Sequence, residues 1–74
     1  MRVIIANNGT NITYEKVATI DDQGEEIVLL GSGGDYVHVT LNGWLIAKTA
    51  SCRVDKRCLV SVDEVFLDTR VEGL

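Results

Sequence analysis

Apolar residues recur along this chain in short runs, each stopped by Gly, Asn or Asp. Residues 2–6 make a short aliphatic run behind Arg2 and end at the turn-rich Asn7-Asn8-Gly9-Thr10-Asn11. Residues 12–20 are long enough for a helix, but Thr13, Tyr14, Val17, Thr19 and Ile20 all favour a pleated strand and no cap precedes an apolar stripe. This stretch reads as one strand. Asp21-Asp22-Gln23-Gly24-Glu25 is a hydrophilic turn in which Gly24 is free to take positive φ. Residues 27–30 make a compact strand that ends at Gly31-Ser32-Gly33-Gly34, read as a flexible hairpin loop.

Asn42-Gly43 carries the clearest local signal. The pair suits a two-residue type I′ turn, whose central residues both need positive φ, and residues 35–41 and 44–50 flank it as strands. Regular pairing from that turn sets Leu41 opposite Trp44, Val39 opposite Ile46 and Val37 opposite Lys48. The face these share is expected to be buried. The other face, with Tyr36, His38, Thr40, Leu45, Ala47 and Thr49, is expected to be half-buried.

Beyond the hairpin, residues 51–54 read as a strand that turns at Asp55-Lys56 and returns over residues 57–62. Ser61-Val62-Asp63-Glu64 fits a capping box and Gly73 a C-cap, which would suit a short terminal helical turn. Yet Val65, Leu67, Thr69 and Val71 alternate with Glu64, Phe66, Asp68, Arg70 and Glu72 at period two, which favours a turn at residues 62–64 and a final strand. The expected fold is all-β: one domain over residues 1–74, a small antiparallel barrel or sandwich of about five to six short strands. That is the size of SH3-like, Sm-like and OB-like barrels, and a likeness of size carries no function.

Composition sharpens this picture. With 74 residues the core is thin, and four aromatic residues (Tyr14, Tyr36, Trp44 and Phe66) leave Val, Ile and Leu to build it. A chain so small, and so rich in aliphatic residues, is expected to gain from a second copy or a larger partner. No signal peptide opens the chain and no apolar run is long enough for a membrane helix, so the expected location is cytoplasmic, away from membranes. The sequons at Asn8 and Asn11 then read as turn chemistry.

The formal net charge of −4 argues against general nucleic-acid binding, but Lys48, Arg53, Lys56 and Arg57 concentrate four of the seven basic residues in one window. Little else carries chemistry. The single His38 lies mid-strand with neither a second ligand nor an orienting partner, and nothing nominates Ser51 or Ser61 as a nucleophile. Gly31–Gly34 lacks the Lys-Ser/Thr of a phosphate loop, and the acidic pairs lack EF-hand spacing. Cys52 and Cys58 would face each other if the Asp55-Lys56 turn closed a hairpin, but a reducing compartment favours two free thiols. No catalytic residue, cofactor or metal site is expected.

What remains is a surface. Leu41, Trp44, Leu45 and Ile46 concentrate apolar area at the hairpin tip, where Trp44 either closes one end of the core or stands exposed as an anchor. The expected function is a non-enzymatic binding or assembly module, acting as a homo-oligomer or docked on a larger protein. Its size and style suit accessory proteins such as those of phages and mobile elements. The alternative is a small RNA- or single-stranded-DNA-binding regulator using Lys48, Arg53, Lys56 and Arg57.

Overall fold

The structure is a computed structural model and describes residues 1–63. Its strands are β1 (Arg2–Asn7), β2 (Thr10–Glu15), β3 (Thr19–Asp22), β4 (Glu26–Leu30), β5 (Val37–Leu41), β6 (Trp44–Thr49), β7 (Ser51–Asp55) and β8 (Leu59–Asp63), with a 3-10 turn at Lys56–Cys58. They form two antiparallel sheets: five strands in the order β6-β5-β2-β1-β8, and three in the order β3-β4-β7. The all-β expectation holds. The sheets face each other as a sandwich and do not close into a barrel, and the described residues alone hold eight strands where five to six were expected.

The added strands come from places where the chain changes sheet. Residues 12–20 are not one strand: Lys16 takes a φ of +66° and ends β2, while Val17 is fully buried at the crossing. The Val17 N–H donates to the Met1 carbonyl at 3.1 Å, and the Ala18 N–H donates to Leu30 of the other sheet at 2.8 Å. Two adjacent residues thus bond to opposite layers. Gly31–Gly34 is likewise no hairpin loop, because it carries the chain from β4 in one sheet to β5 in the other. At Gly31 a side chain would overlap the Asp35 carbonyl, so the crossover requires glycine there.

The expected hairpin between residues 51–54 and 57–62 does not form either. β7 and β8 belong to different sheets, and the Asp55 carboxylate caps the 3-10 turn by accepting the Arg57 N–H at 2.9 Å. Val62 and Asp63 do not turn: they pair with Val3 and Arg2 inside β8. The expected terminal strand or helix over residues 65–72 lies outside the described residues.

Asn42 (φ +53°) and Gly43 (φ +82°) form the expected turn, with Leu41 opposite Trp44. Asn8 (φ +54°) and Gly9 (φ +79°) repeat it between β1 and β2. Because Ile12 pairs with both Ile5 and Leu41, the two turns project from the same end of the five-stranded sheet. Farther along β6 the register departs from the regular one. A bulge leaves Ile46 without a cross-strand partner, so Val39 faces Ala47, His38 faces Lys48 and Val37 faces Thr49.

The core lies between the sheets. Val3, Ile5, Tyr14, Val37 and Val39 face it from the larger sheet, Ile27, Leu29 and Val54 from the smaller, with Val17 at the crossing. Fully burying such aliphatic side chains contributes roughly 1.5–3 kcal/mol each. Burial on the predicted face of the hairpin is confined to β5. Trp44, Ile46 and Lys48, expected inside, are exposed, as are Leu45 and Ala47, expected half-buried. The cause is the mismatch of layers: β6 packs chiefly on β5, since a three-stranded sheet cannot cover a five-stranded one.

Candidate functional site

Three consecutive large apolar residues stand in solvent where the larger sheet overhangs the smaller. Trp44 is 77% exposed, Leu45 51% and Ile46 55%. Trp44 therefore does not close the core, and the tip brings it together with Leu41, Leu45 and Ile46. Trp44 shares the inward face of Leu41, while Leu45 shares the outward face of Thr40, so both sides of the tip are apolar. Tyr36, at the start of β5, adds to the exposed surface.

A groove opens beside this overhang, between the sheets at the end from which both Asn-Gly turns project. Its volume is about 190 Å³, and Ile5, Ile12, Tyr14, Val54 and Cys58 line it with Asn7 and Asp55 at the polar side. Four elements supply these residues, and for that reason the sequence did not show that they come together. The Asn8-Gly9 turn was the signal that could have paired Ile5 with Ile12. Burial and the neighbouring Cys52 thiol push the Tyr14 phenol up to about 12. Cys52 and Cys58 are both free and half-buried, the first on β7 and the second in the 3-10 turn.

The basic window does not assemble into a free cationic patch. Arg53 donates to Gln23 at 2.9 Å and to Glu26 at 3.1 Å, and Lys56 reaches Asp22 at 2.7 Å. Arg57 forks onto both Asp55 oxygens, at 3.1 and 2.7 Å. These bonds hold the Asp55 carboxyl down at about 2, lower that of Asp22, and raise the Arg57 guanidinium. Lys48 lies apart on β6 and forms no ion pair with the described residues. Between the paired charges an open polar hollow of about 420 Å³ is lined by Gln23, Glu25, Glu26, Asp55 and Arg57.

His38 lies between Glu15 and Lys48 across the strands, and no serine hydroxyl among the described residues hydrogen-bonds it. Among the described residues no group of His, Cys, Asp and Glu could hold a metal ion, and no helix is long and apolar enough to cross a membrane. No family model matches the chain, and no curated protein or solved structure is significantly similar to it.

Proposed function

We propose that this chain is a non-enzymatic assembly module that docks on a protein surface through the side chains of the hairpin tip, with Trp44 as anchor. The observation that carries this reading is the run Trp44-Leu45-Ile46, exposed on a strand that the second sheet does not cover. These three leave large apolar side chains exposed on both sides of the tip, and exposed apolar surface of this kind marks an interaction site. Tryptophan is enriched among interface anchors, since a large rigid ring is buried at little cost in side-chain entropy.

Side chains, more than backbone, are suited to make the contact. β6 carries Lys48 and a bulge at Ile46, two devices that blunt an outer strand against further pairing. On the opposite flank β8 carries its own bulge, with Val60 left unpaired against β1. In the smaller sheet β3 is four residues long and ends in Asp21 and Asp22. At β6, β8 and β3 these features favour contact through the apolar tip over an added strand.

The test is a photo-crosslinker at Leu45 in the producing cell, with and without Trp44→Ala. A protein adduct that disappears with Trp44→Ala supports the reading, and no protein adduct overturns it. A nucleic-acid adduct, with salt-sensitive binding of single-stranded RNA lost on neutralising Lys48, Arg53, Lys56 and Arg57, would instead establish the alternative.

A further inference from the structure

We infer that the partner surface is a second copy of this chain, and that the two form a closed dimer in which each Trp44 fills the groove of the other. The inference rests on the tip being the docking surface and names what the tip docks into.

Knob and hole share one face. Trp44 pairs with Leu41, Leu41 with Ile12, and Ile12 lines the groove. Residues opposite one another on neighbouring strands point to the same side, so Trp44 and the groove lie about 10 Å apart, two strand spacings, with Leu41 between them. A two-fold axis running between knob and hole would exchange them, bringing each indole onto the partner's groove and Leu41 near its own counterpart. Such an arrangement is self-complementary and closes at two copies.

Size agrees. A cavity of about 150 Å³ accommodates benzene, so the groove's 190 Å³ is of the right order for an indole. Asn7 at its polar side offers a side-chain acceptor for the indole N–H, which seeks a partner once buried. Charge agrees as well. Two copies of net charge −4 repel, yet none of the 11 acidic residues falls between positions 36 and 54, the stretch that supplies the tip. Asp55 beside the groove is already matched by Arg57.

Area sets the expected strength. Each indole with the lining it covers removes roughly 250 Å², so two contacts bury about 500 Å², and with Leu41 and Ile46 the interface stays below the ~1,200 Å² of standard specific interfaces, in the range of weak, reversible contacts. The dimer should therefore be weak and reversible, filling towards ~500 µM and leaving monomer at a few micromolar.

Sedimentation from about 1 to 500 µM, read together with the emission of the single tryptophan, tests this. The expected result is a doubling of the 8.1 kDa mass, with a blue shift of Trp44 and slower alkylation of Cys58 over the same concentration range. Trp44→Ala, an exposed position, should stay folded and monomeric. So should Asn7→Arg, at the rim of the groove, with circular dichroism confirming that each variant folds. A monomer throughout overturns the second copy and leaves the tip reading to its crosslinking test. A dimer lost with Trp44→Ala but kept by Asn7→Arg, with Cys58 still reactive, overturns the groove alone. A dimer that survives Trp44→Ala overturns the tip itself.

Discussion

Tyr14 and Cys52 meet across the sandwich, the phenol reaching inward from β2 of the larger sheet and the thiol from β7 of the smaller. Tyr14 is buried, and desolvation, followed by the thiol, moves its pKa from 10.0 to about 12. The folded state thus keeps a proton that the unfolded state releases first. The stability this contributes is complete below pH 10 and is lost as pH rises through 10 towards 12. In a Tyr36→Phe background the ultraviolet signal of tyrosinate reports Tyr14 alone, because the chain has two tyrosines. Titration near pH 10 in the folded protein would contradict the burial.

Gly31→Ala should destabilise the fold by more than about 2 kcal/mol, since the new methyl group meets the Asp35 carbonyl and the crossover must move. Gly34→Ala, three residues on, has open space around the added carbon and should change stability by less than about 0.5 kcal/mol. Urea unfolding of both variants checks the contrast.

Leu29 is fully buried opposite Ile20 on one side and Cys52 on the other. Leu29→Ala should cost about 2–5 kcal/mol, a large part of the stability of so small a domain. Ile46→Ala removes a comparable side chain from solvent and should cost the monomer little. Equal losses in dilute solution would mean that β6 is better covered than its exposure indicates.

The two thiols should be fully reactive in protein unfolded without reductant. Cys52 lies on β7 and Cys58 in the 3-10 turn, and both are free. A thiol count that rises on adding reductant would reveal a bridge.

Local chemistry in this chain is legible where it acts over two residues. Asn42-Gly43 announces its turn and pairs Leu41 with Trp44, because positive φ at both positions admits few residue types. Register is lost a few residues later, at Ile46, since no residue type marks a bulge as Asn-Gly marks a turn. Sheet membership is less legible still. Strands of both sheets carry the same alternation, so the passage from Tyr14 to Ile20 looks continuous until Lys16 is seen with positive φ and Val17 buried. The exposure of Trp44 follows from how many strands lie opposite it, a property of the whole fold that no local pattern encodes.

The pairing of β1 with β8 joins Arg2 to Asp63, and β1 also pairs with β2 directly after it in sequence. A chain made from its N-terminus onward can form the β1–β2 hairpin early, but the other edge of β1 waits for β8. During that interval Val3 and Ile5 belong to a sheet with an open flank, and the smaller sheet also lacks β7 until late. Such distant pairings slow folding, and open strand edges are where nascent chains aggregate. The last strand described is thus the one that ends this exposure, and truncation on the ribosome before β8 should leave a species that chaperones hold.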